Sequence, residues 1–389
     1  MVKFAHIADC HLGGWRNQKL RALNSKAFRL AIKNCREVDF LVIAGDLFHT
    51  SLPPIDVLKD TVSQLRKLKE ENKRIYAVAG SHDFSPSGKT MLDVLENAGL
   101  IQILRPGKFI KDDSGVLLTG ISGRRGSLES SDFTELDKQE LEKVSGKKVF
   151  VFHTAIAGFA EVEINCLPLE SLPKGFDYYL GGHIHIPKIK QVEGFGWIAQ
   201  PGPTFPNNFS ELEKLESGGM IICEYGQAPK RIPINVIEKV LVKLDCSGAS
   251  PEEVEELLSQ KIKDVQNKLL LVRLEGILSS GRVVDIDLQK LFSKLDAYVI
   301  LKNTAKLNGP EFKGPEFDLD HSEEIEEKIL ETNEGTLFGE QEKKVAKEIM
   351  NILSQEKQEG ETKTTYEERI LSDFGREVYK HKTFISKSE

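Results

Sequence analysis

Short apolar runs, each closed by glycine, aspartate or histidine, pattern the first half of this chain. Val2–Ala8 (VKFAHIA), Phe40–Ala44 (FLVIA) and Ile75–Ala79 (IYAVA) are rich in β-formers and short for helices. They predict buried strands. Residues 25–36 between the first two predict a helix. Ser51-Leu-Pro-Pro54 predicts another helix start, with proline in the first turn, and Ile55, Leu58, Val62, Leu65 and Leu68 then recur at helical spacing. Met91–Ala98 is a third helical stretch, after which short strands are expected from about Leu100 to Ile121. Lys147–Phe152 and Phe176–Leu180 predict two more strands, followed by β-like segments near Lys188 and Phe195. Gln200-Pro-Gly-Pro203 marks a turn, and Ser217–Tyr225 with Arg231–Val236 complete a first domain over 1–236. Alternating strands and helices predict an α/β fold.

Beyond it the pattern changes. Val240–Leu244, a helix over 251–266, Leu269–Leu274, a helix over 286–295 and Tyr298–Leu301 predict a small module over 237–304. Residues 305–335 read as a linker: Gly309-Pro-Glu-Phe-Lys313 is echoed by Gly314-Pro-Glu-Phe-Asp318, and an acidic run follows. Proline, glycine and like charge predict a flexible tether. Residues 336–382 predict two amphipathic helices, one showing Phe338, Val345, Ile349 and Leu353, the other Tyr366, Ile370, Phe374 and Val378. So small a pair cannot bury both stripes alone and needs its own chain or a partner.

Composition adds boundaries. The 389 residues carry a formal net charge of -7, which argues against coating nucleic acid by bulk charge but leaves room for a local site that receives one phosphate. The five cysteines show no CxxC spacing, which predicts buried thiols in a reducing cytoplasm. No apolar run approaches the roughly 20 residues of a membrane span, and strand-like sequence at the start predicts no signal peptide.

The chemistry sits where the strands end. Asp9-Cys-His11, Gly45-Asp-Leu-Phe-His49, Gly80-Ser-His-Asp83, Phe152-His153 and Gly181-Gly-His-Ile-His185 each close an apolar run. In open α/β sheets the carboxyl edge of the strands is where ligands bind. Imidazole and carboxylate donors without thiolate suit manganese, iron or zinc in a reactive site rather than a structural zinc site. Asp-x-His and His-x-His on extended backbone would project both side chains to one side. Asp46, with two carboxylate oxygens, could bridge two cations about 3.5–4 Å apart, a pair suited to phosphoryl chemistry. His82 suits proton donation to a leaving oxygen.

This ordered set, D-x-H, G-D, G-x-H-D, H and G-H-x-H, resembles the calcineurin-like metallophosphoesterase superfamily. Within it, Ala8-Asp-Cys-His-Leu-Gly13, Gly45–His49 and Gly182-His-Ile-His-Ile-Pro187 look like the double-strand-break repair nuclease of the meiotic recombination eleven type, SbcD in bacteria. The resemblance implies an archaeal source and a four-layer α/β/β/α sandwich with a DNA-capping domain over 237–304 and a C-terminal helical pair. It implies two Mn2+ per chain, one held by Asp9, His11, Asp46 and His185, the other by Asp46, Ser81, His153 and His183. His82 would be the catalytic histidine and His49 would place the DNA backbone. The implied activity is exonuclease and endonuclease cutting at broken DNA ends. The implied partner is an SMC-like coiled-coil ATPase of the SbcC type, bound through Val345, Ile349, Leu353, Tyr366, Ile370 and Phe374. A homodimer within a heterotetramer is also implied, with helices near 54–69 and 88–98 as candidate dimer faces, and a cytoplasmic, nucleoid-associated location.

Two departures matter. Ser81 stands where the family has asparagine, a better neutral oxygen ligand, which predicts a weaker second site. Gln200-Pro-Gly-Pro203 replaces a Tyr-Pro-Gly-Ser turn in the cleft floor. Arg16, Lys19, Arg124, Arg125, Lys188 and Lys190 flank the motifs and are candidates for DNA phosphates. Competing readings are a phosphoesterase of the same superfamily with another substrate, and a scaffold with a weakened site.

Overall fold

The computed structural model describes residues 2–85, 88–124, 129–160, 166–310, 345, 348–349, 352–353, 355 and 363–382. The linker from residue 311 onward, most of the first tail helix and Arg125 lie outside these residues.

Three parallel strands come first, β1 (Lys3–Ile7), β2 (Phe40–Ala44) and β3 (Arg74–Val78), and each is almost wholly buried. Their connections are helices α1 (Gln18–Asn34) and α2 (Ile55–Glu70). α1 begins earlier than its apolar spacing suggested, because the Asn17 side chain accepts from the backbone N–H groups of Lys19 and Leu20 and caps it. α3 (Met91–Asn97) starts on a capping box formed by Thr90 and Asp93.

The remaining strands are β4 (Gln102–Ile103), β5 (Ile110–Lys111), β6 (Leu117–Ile121), β7 (Lys148–His153), β8 (Tyr178–Gly182), β9 (Lys188–Gln191), β10 (Trp197–Gln200), β11 (Gly218–Glu224) and β12 (Lys230–Ile234). They make two six-stranded sheets, ordered β12-β11-β1-β2-β3-β4 and β5-β6-β7-β8-β10-β9. Helices α4 (Glu129–Glu135) and α5 (Lys138–Lys143), which periodicity did not predict, are too short to show a stripe.

Three buried clusters define the layers. α1, α2 and α3 cover the outer face of the first sheet through Leu20, Phe28, Leu65 and Leu92. The facing sides of the two sheets meet through Phe4, Phe40, Tyr76, Leu118, Val151 and Leu180. Phe133 and Leu141 of α4 and α5 cover the second sheet with Phe150, Phe152 and Tyr179. The result is an α/β/β/α sandwich, the fold class that the resemblance implied. Phe4 stacks on Phe40 at 4.9 Å and meets Tyr178 edge-on at 5.3 Å, so aromatic geometry as well as buried area joins the sheets.

Two compact units divide the chain. One comprises Met1–Leu244, Glu252–Arg273 and Ile286–Asn303; the other comprises Asp245–Pro251, Leu274–Asp285 and Thr304–Glu389. A third sheet orders β13 (Lys239–Asp245), β14 (Leu269–Ile277) and β15 (Val299–Asn308). In the first unit, Leu269, Leu271 and Val299 join the core under α1 and α2. This unit also holds α6 (Phe209–Lys214), all of α7 (Pro251–Lys261) but its first residue, and α8 (Leu288–Phe292), the last shorter than the stretch predicted. In the second unit, Cys246 N donates to Glu275 O at 2.8 Å and Leu278 N to Asn308 O at 2.9 Å. α9 (Lys363–Lys382) belongs here, with Tyr366 OH donating to Gln355 O at 2.8 Å and Ile370 buried.

Candidate metal centre

The parallel strands of both sheets end at one place. The turns after β1, β2 and β3 bring Asp9, His11, Asp46 and His82, and β7 and the turn after β8 bring His153, His183 and His185. These turns are not extended. Asp9 (φ 51), His11 (φ 40), Asp46 (φ 49) and His183 (φ 85) all lie in the left-handed region. This corrects the expectation that Asp-x-His and His-x-His act through strand alternation. Non-glycine residues there carry about 1–3 kcal/mol of strain each, so the surroundings must hold them. Asp9 N donates to Gly45 O at 3.2 Å and His11 N to Asp46 O at 2.9 Å, lacing the first two turns together.

The donor atoms converge. Asp46 Oδ2 lies 3.5 Å from His11 Nε2 and 3.2 Å from His153 Nε2. Asp9 Oδ1 lies 3.7 Å from His185 Nε2 and 4.0 Å from His153 Nδ1. His11 Nε2 and His185 Nε2 approach to 3.2 Å. Asp9, His11 and His185 form one group of donor atoms within 4.8 Å of one another, and Asp9, Asp46 and His153 form another. His183 adds its ring at 5.2 Å from His153, and its backbone N–H donates to Asp9 Oδ1 at 2.9 Å. Ser81 is half-buried between Gly80 and His82.

Buried polar atoms here lack hydrogen bonds: Asp9 Oδ2 and His153 Nε2 have none. His153 Nε2 lies within ion-pair distance of Asp46 Oδ2. Buried polar groups are nearly always satisfied, so buried carboxylate and imidazole atoms without a hydrogen-bond partner fit a cation. The charges agree. Burial would raise the Asp46 carboxyl, but the His153 and His11 rings outweigh it and hold the group far below the usual carboxylate range. Burial would lower His153, but Asp46 and Asp9 lift it to about 10. His185 behaves alike: burial lowers it, and Glu211 and Asp9 raise it to about 9. Burial pushes Asp9 up to about 6. These carboxylates hold positive charge in place, as a divalent cation would supply it.

His82 and His49 form a third group with His11, their donor atoms also within 4.8 Å of one another. Their rings stack at 5.1 Å, and His82 meets His11 edge-on at 4.7 Å. His82 Nδ1 donates to His49 O at 2.9 Å, which fixes the orientation of the ring. The His82 backbone N–H donates to Asp46 Oδ1 at 2.8 Å.

Several residues that shape the site were not singled out from the sequence. Asp83 is buried, accepts from Gly80 N at 2.8 Å and Phe48 N at 3.2 Å, and so ties the second and third turns together. It lies inside a motif, and that was its signal. A side chain on Gly45, Gly80 or Gly182 would overlap His153 or Asp46. Glu211 accepts from His185 Nδ1 at 2.8 Å; nothing local marks it except Asn208-x-x-Glu211, a helix-start pattern silent about His185.

The basic candidates are dispersed. Arg16 is exposed. Lys19 donates to Tyr298 O at 2.8 Å, Lys188 to Gly158 O at 2.6 Å, and Arg124 pairs with Asp132 at 2.8 Å. Lys190 is exposed. Of the tail candidates, Val345 and Ile370 are buried, whereas Leu353 and Phe374 are exposed.

Comparison with known proteins accords with this geometry. Residues 2–187 match the family described as calcineurin-like phosphoesterase, so the chain carries a calcineurin-like phosphoesterase domain over those residues. It is similar to proteins called DNA double-strand break repair protein Mre11. Identity is 34% over 234 residues with that of Archaeoglobus fulgidus, covering 55% of this chain and 52% of the relative. With Methanopyrus kandleri it is 28% over 312 residues, covering 66% of this chain and 67% of the relative. With Methanococcus maripaludis it is 26% over 379 residues, covering 87% of this chain and 97% of the relative. The aligned part thus spans about half the length of the Archaeoglobus relative and nearly all of the Methanococcus one.

Proposed function

We propose that this chain is a manganese-dependent DNA nuclease that processes double-strand break ends in complex with an SMC-like coiled-coil ATPase. The observation that carries the reading is the convergence of the donor atoms of Asp9, His11, Asp46, His153 and His185, with Asp9 Oδ2 buried among them without a hydrogen bond. The similarity to Mre11 proteins adds the substrate, broken DNA ends.

In this reading Asp9, His11, Asp46 and His185 hold one cation, and Asp46, Ser81, His153 and His183 hold a second, weaker one. When bound, the pair neutralises charge on the phosphoryl oxygens and acidifies the attacking water. The chain's own residues do the rest. Asp46 is shared, because its Oδ2 faces both His11 and His153. His82, oriented by the His49 carbonyl, presents Nε2 to give a proton to the leaving oxygen. His49, stacked on His82, places the DNA backbone, with Arg16, Lys19, Arg124, Arg125 and Lys188 as further phosphate contacts. Residues 237–304 cap the DNA, residues 305–335 tether the tail, and Val345, Ile349, Leu353, Tyr366, Ile370 and Phe374 meet the ATPase. A homodimer and a cytoplasmic, nucleoid-associated location complete the proposal; among the described residues no helix is long and apolar enough to cross a membrane.

The test is degradation of end-labelled linear DNA in Mn2+, with and without the partner ATPase, beside His82→Ala. Expected is Mn2+-dependent cutting that His82→Ala loses by a factor of about 10²–10⁴ while it still binds Mn2+. Mn2+ binding without DNA cutting, but with hydrolysis of a small phosphodiester, would support the other-substrate reading. Neither activity in any setting would favour the scaffold.

A further inference from the structure

The short helix α6 faces two ways. On one side Glu211 Oε1 accepts from His185 Nδ1 at 2.8 Å, while His185 Nε2 points to Asp9 and His11. The carboxylate is itself fixed: Asn207 N donates to Oε2 at 2.8 Å and Asn208 Nδ2 to Oε1 at 2.7 Å. A histidine ligand whose other nitrogen is anchored by a carboxylate is held in one tautomer and one ring orientation, and is a stronger donor.

Two residues on, Glu213 leaves the other side of α6. Its carboxylate accepts from Arg273 Nε at 2.8 Å and 3.0 Å, and pairs with Lys243 Nζ at 2.7 Å. Arg273 is on β14 and Lys243 on β13. The Glu213 side chain is 8% exposed and that of Arg273 13%, so this pair is shielded from solvent, unlike a surface ion pair. The Arg273 guanidinium also lies 5.2 Å from the centre of the Phe209 ring, on the first residue of α6. Lys239 Nζ closes the far end by donating to Leu212 O and Leu215 O. A six-residue helix has too few internal hydrogen bonds to hold itself. Its position is set by these contacts from β13 and β14.

We infer that α6 is a positioning element which transmits the placement of Arg273 on β14 and Lys243 on β13 to the candidate metal centre, Glu213 reading those two residues and Glu211 setting His185. Glu211 and Arg273 are thus positioning residues for a metal that neither touches. The inference rests on the proposal that His185 holds a metal.

The experiment is calorimetric Mn2+ titration of the full chain, beside Glu211→Ala, Glu211→Gln, Arg273→Met and the double variant Glu211→Ala with Arg273→Met. Expected are a 10–100-fold loss of affinity at one site in Glu211→Ala, and recovery of most of it in Glu211→Gln, whose amide oxygen still accepts from Nδ1. Arg273→Met is expected to weaken the same site several-fold, and the double variant to be no weaker than Glu211→Ala alone. Wild-type affinity in folded Glu211→Ala and Glu211→Gln overturns the inference. So does wild-type affinity in Arg273→Met, because the placement of Arg273 would then not reach the metal. No Mn2+ binding by the unaltered chain would overturn the metal reading itself, an outcome separate from the other two.

Discussion

At the residue scale, His6 shows how burial sets a proton equilibrium. It lies on β1 between the two sheets, fully buried, where desolvation outweighs a contact with the Gly181 backbone that favours the proton. Burial lowers its pKa from 6.5 to about 3. The folded value is below the unfolded one, so the ring is neutral in both states above pH 6.5 and nothing is lost there. As pH falls below 6.5 the unfolded chain takes up a proton that the folded chain refuses. Stability then declines by about 1.4 kcal/mol per pH unit from this group, or about 2 kcal/mol between pH 6.5 and pH 5. His6→Leu removes the titration. Urea unfolding at the two pH values should show a shallower decline in this variant than in the wild type. Equal declines would mean that His6 stays neutral in the unfolded state or finds a partner in the folded one.

Among the elements, the turns matter more than the strands. Five strand ends meet at one centre because glycine lets backbone and side chain approach where a methyl group could not fit. Gly80 is the sharpest case: a Cβ there would overlap the Asp46 carboxylate and its backbone N. Gly80→Ala is expected to displace Asp46, to cost about 1–3 kcal/mol of stability and to weaken Mn2+ binding at least tenfold, with far-UV circular dichroism unchanged. Wild-type Mn2+ affinity in that variant would show that the turn relaxes without moving the carboxylate. These turns also explain how legible the site was. The identities of Asp9, His11, Asp46, His153 and His185 stood out because each closes an apolar run. Their aim did not, because left-handed backbone at Asp9, His11, Asp46 and His183 is settled by hydrogen bonds between turns far apart in sequence.

For the whole molecule, the candidate metal centre gathers residues from both sheets. Asp9, His11 and Asp46 come from the first sheet, and His153, His183 and His185 from the second. A cation bound there stabilises the sandwich as any ligand specific to the native state does, by about 2.7 kcal/mol at a concentration 100 times Kd. For a domain of this size that raises Tm by about 5–10 °C. Calorimetry of the protein with Mn2+ and after chelation measures it, and an unchanged Tm would argue that the cluster holds no metal in the native state.

The strands, most helices and the candidate ligand residues could be read from the sequence itself, because hydrophobic period and strand-end motifs are local signals. α4 and α5 escaped because a helix of six or seven residues has hardly two turns in which to show a stripe. Glu211, Asp83 and the glycine walls escaped for a different reason. Their roles exist only in contacts such as Glu211 with His185, 26 residues away, or Asp83 with Phe48, 35 residues away. Tertiary structure alone decides such contacts, because they follow from how the sheets pack rather than from what any segment prefers.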